Sequence, residues 1–346
     1  MEDFGEGGIH PHENTLAKPK EDRLKLIRSC NANFSPIFGL FSDPSKRIDS
    51  ILRDAMRQPP LYDLADDVGV RHTLWGIREN RAIQIITGQM ADKQIFIADG
   101  HHRYETAINY RNEMREKTPN FTGDLSPNGF IGDEPFNHVM MYFTNTNSEG
   151  LSILPIHRLV SSLENFNKKR IGEEAGEFFN IESLPFNGDE EKDVRQRLFL
   201  EMKNRGENGP APASSKQGHV FGMYLGDNEY FLLTLKEGGM LEKYVENSRH
   251  PAWKTLDVTI LHTLLIEKVL GISEKSLSEQ KNITYTVNEI EAIKGVKEGK
   301  YQLALFLNPT KIEEVQAVAA AGEKMPQKST FFYPKLITGL VMNKLE

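Results

Sequence analysis

Apolar positions along the chain fall into short buried-looking runs and longer amphipathic stretches, without regular alternation between the two. Leu24, Ile27 and Leu26 predict a helix over residues 21–30, after a polar opening through Lys20 that reads as loop or extended chain. A strand is expected over 35–41. A helix from Asp43-Pro44 to about Arg57 follows, with Asp as cap and Pro at the first helical position, stopped by Pro59 and Pro60. Residues 61–77 suggest two short strands, 81–90 a helix and 94–98 (QIFIA) a buried strand. Ile108, Tyr110 and Met114 belong to a helix that begins just after that strand. Residues 118–137 carry Pro and Gly throughout and read as a long loop, and 138–143 (HVMMYF) as another buried strand.

From about Leu151 helices are expected over 164–179 and 190–204, and an exposed small-residue loop over 209–218. Two apolar runs, 219–225 and 229–235, flank Gly226-Asp227-Asn228 as a hairpin. The helix over 256–270 has Leu256, Ile260, Leu264 and Leu265 on one face and Gly271 as its stop. A strand over 301–307, a helix over 311–321 and a strand or short helix over 336–342 complete the pattern. Strands and helices mix without regular βαβ spacing, which predicts an α+β or irregular α/β architecture: a mixed sheet, then a second α+β region. The domains are expected at 1–150 and 151–346, the second with a tail that can return to the first.

Composition narrows the classes. The 346 residues hold Lys+Arg 42 against Asp+Glu 49, a net charge of -7, which argues against a chain-wide grip on nucleic acid. One cysteine, Cys30, excludes an intrachain disulfide framework or a Cys-rich metal site and fits a reducing cytoplasm. No apolar run reaches the ~20 residues of a membrane span. Oligomeric state leaves no mark on the sequence.

The chemistry concentrates in Asp99-Gly100-His101-His102-Arg103-Tyr104-Glu105, a strand, a tight Gly turn and a helix start. The first turn of a helix offers unpaired N–H groups and partial positive charge, and a Gly lets a ligand approach the backbone. With Arg103 and two imidazoles, the turn is a candidate anion site, phosphate above all. Asp99 can cap the helix, hold a metal or take a proton. The density of His, Arg and acid exceeds what capping needs.

This loop resembles the hallmark of the bacterial and archaeal family called domain of unknown function 1015. The resemblance extends to His12-Glu13-Asn14-Thr15 with Lys18, Lys20, Asp22 and Arg23, to Ala32-Asn33-Phe34-Ser35-Pro36-Ile37-Phe38, to Leu154-Pro155-Ile156-His157-Arg158, to Leu256-Asp257, and to the tail from Met325 to Leu336. Members usually carry a further segment ahead of His12-Glu13, so the resemblance implies a shortened N-terminus here. A more distant resemblance, through Gly100, His102 and Arg103, is to the ParB/sulfiredoxin-like fold and the free-serine kinases built on it.

These resemblances imply a phosphotransferase that takes Mg²⁺ with ATP or ADP and acts on a small hydroxyl compound, with free serine as one acceptor. Gly100, His101, His102 and Arg103 would hold phosphates. Glu13, Asp99 and His102 are the candidate catalytic groups, with Asp99 the candidate metal ligand. Lys20, Arg23, His157, Arg158, Lys328, Ser329, Thr330 and Lys335 are candidate clamps on substrate or phosphate. Two alternatives stay open: a metal-dependent hydrolase using His12, His101, His102 and His157, and a ParB-like DNA-binding or regulatory protein. No Walker loop, protein-kinase signature, G-x-G-x-x-G or H-E-x-x-H is present. Neither a nucleic-acid nor a membrane partner is expected.

Overall fold

The computed structural model describes all residues except 16, 68, 118–133, 209–217, 237–242, 246–247, 280 and 346. The chain divides into two compact units, one of Met1–Leu151 with Pro334–Glu346, the other of Ser152–Tyr333. Both mix helix and sheet, as an α+β fold requires.

In the first unit the chain runs through β1 (Ile9–His10), α1 (Ala17–Cys30), β2 (Ala32–Asn33), β3 (Ile37–Phe41) and α2 (Arg47–Ala55). It continues through β4 (Tyr62–Ala65), β5 (Arg71–Leu74), α3 (Asn80–Met90), β6 (Ile95–Asp99), α4 (His101–Lys117) and β7 (Met141–Asn145). Four strands form a mixed sheet in the order β1-β6-β3-β7, with β1 parallel to β6, β3 antiparallel to β6 and β7 parallel to β3. The strand β6 is therefore central. Its Ile97 is buried in a core with Ile37, Tyr104 and Ile108, and its Ile95 in a second one with Phe41 and Ile48. That burial holds the end of β6, and the turn after it, in a fixed place. The short strand Asn343–Lys344 pairs with β2, so the chain's last segment is hydrogen-bonded into this unit.

The second unit is built on a six-stranded sheet, antiparallel throughout. In chain order it holds β8 (Ser152–Leu154), β9 (His157–Val160), α5 (Lys168–Phe178), β10 (Phe179–Pro185), α6 (Glu191–Asn208), β11 (Val220–Tyr224) and β12 (Glu229–Leu235). After these come α7 (Pro251–Lys254), α8 (Asp257–Ile260), α9 (Glu274–Ser278), β13 (Ile283–Thr286), α10 (Glu289–Lys297), β14 (Leu303–Phe306), α11 (Ile312–Ala320) and β15 (Phe331–Tyr333). The β11–β12 hairpin turns at Gly226, whose φ of 87° only Gly adopts without strain. Buried apolar residues on β9, β11 and β14 pack against α5 and the helix that continues from α8.

Several elements differ from expectation for identifiable reasons. The first helix starts at Ala17, four residues early, because Pro19 falls in its first turn, where no N–H partner is needed. Leu26 on that helix is 40% exposed, while Ile27 is buried. The carboxylate of Asp43 does cap, accepting from the Arg47 amide at 2.9 Å, but Lys46 takes a left-handed φ of 52° and the helix begins only at Arg47. The strand expected over 138–143 starts at Met141 and lies at the sheet edge, so Tyr142 and Phe143 are exposed and His138 precedes it in open position. No strand or helix forms over 336–342. After α8 the chain widens into a π-helical stretch, Leu261–Val269, ending with Leu270 N–H bonded to Leu265 C=O five residues back. Most of the expected loops at 118–137 and 209–218 lie outside the described residues.

Candidate functional site

The turn from β6 to α4 puts Gly100 between a buried strand and a 17-residue helix. Its φ is 98°, and a Cβ built on it would lie 2.9 Å from Nη2 of Arg103. Glycine is thus required twice here, for backbone and for room. The first i→i−4 bond of α4 joins the Tyr104 amide to the Gly100 carbonyl at 2.9 Å, so the amides ahead of it have no intrahelical acceptor. Their end of the helix carries the positive pole.

The Arg103 side chain folds back over this turn. Its Nη2 donates to Asp99 Oδ2 at 2.7 Å, and its Nη1 donates to the Pro36 carbonyl. Lys335 Nζ binds the other oxygen of Asp99, Oδ1, at 2.9 Å. Both oxygens of Asp99 are therefore engaged by cations. Burial pulls the Arg103 guanidinium below its ordinary pKa, Asp99 opposes that shift, and the like charge of Arg23 adds to it. Arg23 itself makes no ion pair among the described residues. Two cations share a single carboxylate at a helix N-terminus.

A second network ties the N-terminal segment to the same helix. His12 and His101 are both 2% exposed and meet edge to face, with ring centroids 4.6 Å apart. The His12 amide donates to Nε2 of His101 at 3.2 Å. Nε2 is thereby the acceptor, which places the proton of a neutral ring on Nδ1. That nitrogen lies 3.6 Å from Glu13 Oε2. One turn further along α4, Glu105 accepts from Thr15 Oγ1 at 2.6 Å and from Lys20 Nζ at 2.7 Å. His102 is half-buried, and its carbonyl accepts from Thr106 Oγ1 at 2.6 Å.

The sequence candidates thus separate into two groups. Glu13, Lys20, Arg23, Asp99, Gly100, His101, His102, Arg103 and Lys335 lie in the first unit. His157, Arg158, Lys328, Ser329 and Thr330 lie in the second. There, Arg158 is 1% exposed and donates to the carbonyls of Ile156 and Lys328, the latter at 2.9 Å, with the Tyr285 ring 5.5 Å away. Lys328 adopts a left-handed φ of 58°, and Ser329 is buried with its hydroxyl on the Pro326 carbonyl. No carboxylate pairs with Arg158 among the described residues, and its Nε has no hydrogen-bond partner there. Burial pushes its pKa down to about 10, and burial together with Arg158 pushes His157 down to about 4.

Sequence reasoning gave His219, Asp257 and Glu314 no shared role. His219 Nδ1 lies 2.7 Å from Asp257 Oδ1, and burial raises Glu314 to about 7, with Asp257 adding to the rise. The Leu256-Asp257 pair was the one signal available for this cluster. Among the described residues no group of three or more His, Cys, Asp or Glu side chains is arranged to hold a metal ion. Nor, among them, is any helix long and apolar enough to cross a membrane.

Fold and site together define an α+β protein with a strand–Gly-turn–helix corner at which Arg103 and Lys335 share the carboxylate of Asp99. The chain belongs to the family described as Protein of unknown function (DUF1015), whose model matches residues 1–259. No curated protein matches it. Among solved structures it is similar to a free serine kinase in complex with AMP, at 14% identity and a TM-score of 0.41, covering 96% of this chain and 88% of that one. It is also similar to a conserved hypothetical protein from Pyrococcus furiosus, at 12% identity and a TM-score of 0.38, covering 96% and 91%. A third similar structure is SbnI with a C-terminal truncation from Staphylococcus aureus, at 12% and 0.35, covering 97% and 82%.

Proposed function

We propose that the first unit binds the phosphates of a nucleotide at the Gly100–Arg103 turn and transfers a phosphoryl group to the hydroxyl of a small molecule. The observation that carries this reading is the positive charge there: Arg103 and Lys335 share the carboxylate of Asp99 at the N-terminus of α4. Asp99 is assigned to hold Arg103 and Lys335 in place. With both its oxygens in ion pairs, it does not fit as a metal ligand or a base, so neutralising the transferred group falls to Arg103, Lys335 and the backbone amides.

Glu13 is assigned as the base. His101 Nδ1 faces it at 3.6 Å, with the tautomer set by the His12 amide. As the acceptor oxygen bonds to phosphorus, the bond from phosphorus to the bridging oxygen breaks, and the nucleotide leaves with that electron pair. The hydroxyl proton passes to Glu13. Contacts that strengthen as charge builds on the leaving oxygen lower the barrier. A metal-dependent hydrolase finds no ligand set among the described residues.

The test is turnover. Purified protein incubated with Mg-ATP, Mg-ADP or pyrophosphate and a panel of hydroxyl acceptors that includes free serine should yield a phosphorylated product. Glu13→Gln should reduce kcat by about a hundredfold to ten-thousandfold, the range for a general base. No product with any donor overturns the reading.

A further inference from the structure

Arg103 has a second face. Beside it opens a shallow pocket of about 50 Å³, open to solvent, between α1, the segment after β2 and the start of α4. Its floor is apolar, with Leu26, Ile27, Phe34 and Val139, and two guanidiniums, Arg23 and Arg103, line it. No Asp or Glu is among its lining residues. Burial disfavours the charged form of Arg103 most, Asp99 supports it from the turn side, and the like charge of Arg23 adds a repulsion from the pocket side. A neutral ligand leaves that repulsion in place, whereas an anionic head relieves it and gains charge-assisted hydrogen bonds. The apolar floor then rewards a hydrocarbon body on the same molecule.

We propose that this pocket is the acceptor subsite, and that the acceptor is a hydroxy acid with a hydrocarbon body, its carboxylate set between Arg23 and Arg103. The proposal rests on the phosphotransferase reading above. Serine satisfies the carboxylate requirement but leaves the apolar floor uncovered. Arg103 then touches both substrates, which places the acceptor hydroxyl beside the phosphate turn.

Calorimetry on the full chain tests this with three probes: 3-phenyllactate, its uncharged amide 3-phenyllactamide, and ADP. Phenyllactate should bind about tenfold to a hundredfold more tightly than the amide, as a charged hydrogen-bond pair in a half-buried site allows. Arg23→Gln should erase that difference and leave ADP binding within about threefold, since Arg23 is exposed and lies off the Gly turn. Ala32→Leu, which fills the pocket from β2, should weaken both organic probes alike and spare ADP. Equal binding of acid and amide overturns the proposal, and so does Arg23→Gln removing ADP along with phenyllactate, which would give the pocket to the nucleotide. If phenyllactate binds as expected while ADP does not bind at all, the subsite stands and the nucleotide reading fails.

Discussion

Arg103 and Arg158 are both taken out of water by the fold, and they are treated in opposite ways. Arg103 stays a quarter exposed, shares a carboxylate with Lys335 and lies in the first turn of α4. Arg158 is sealed in the second unit against two carbonyls and a tyrosine ring, with no carboxylate. A buried charge without a counter-charge costs several kcal/mol, and carbonyl dipoles return part of that cost. On the proposed reading, the first arginine receives an anion. The second is arranged to fasten its own chain, gripping the Lys328 carbonyl where the backbone turns left-handed. A burial pattern alone does not make an arginine a ligand site; the direction of its unspent donors does.

Removing Arg158 should have the largest effect. Arg158→Ala leaves a cavity and two carbonyls unpaired, and should lower unfolding free energy by roughly 3–5 kcal/mol in urea melts. Arg158→Met, which refills the volume without charge, should cost clearly less. If both variants melt like the parent, Arg158 is not a fastening and the contrast with Arg103 collapses.

Acid should act next, and through the second unit. His157, at about 4, binds its proton more weakly folded than unfolded, so stability is lost as pH falls from about 6.5 toward 4, by about 3 kcal/mol. His262, held down by burial and then by Arg158, adds to the same slope. Glu314, raised to about 7, works the other way: its burial costs stability as pH rises from about 4.5 to 7. Melts across that range should show His157→Asn flattening the acid limb, and Glu314→Gln gaining at pH 8, by at most ~3 kcal/mol. If the His157→Asn curve falls between pH 6.5 and 4 as steeply as the parent's, the burial of His157 is contradicted.

Gly100→Ala comes third. It should cost about 1–3 kcal/mol through the strained φ and push the Arg103 guanidinium aside, abolishing ADP binding while the second unit's melting is unchanged. The smallest effect belongs to Lys335→Met. Its half-exposed pair with Asp99 is worth under ~1 kcal/mol to the fold, yet ADP affinity should fall several-fold, and less so at high salt.

Much of this was legible in the sequence where local pattern decides. The β6–Gly100–α4 unit could be read because a buried run, a Gly and a helix period follow one another directly. The β11–β12 hairpin could be read from its turn residues. What escaped depended on distant partners. Tyr142 and Phe143 look like core until β7 proves to be an edge strand. The π-helical turn at Leu261–Val269 keeps the apolar period of an α-helix, so nothing in its spacing announces the wider turn. Lys335 could be suspected from its place in the tail, but its partner, Asp99, lies 236 residues away, and no local rule connects them. Arg158 read as a clamp on a ligand, and only the structure shows it spending both Nη atoms on its own backbone.

That long-range pair has a consequence for how the protein is made. The first unit is interrupted, since Pro334–Glu346 completes it after the whole of the second unit has been threaded. During synthesis Asp99 and Arg103 emerge long before Lys335, and β2 waits for Asn343–Lys344. The corner is therefore finished only once Lys335 has emerged, after the second unit, continuous in sequence, has had time to form. A nascent chain stalled before Pro334 should fold its second unit and still lack the Lys335 ion pair that holds Asp99.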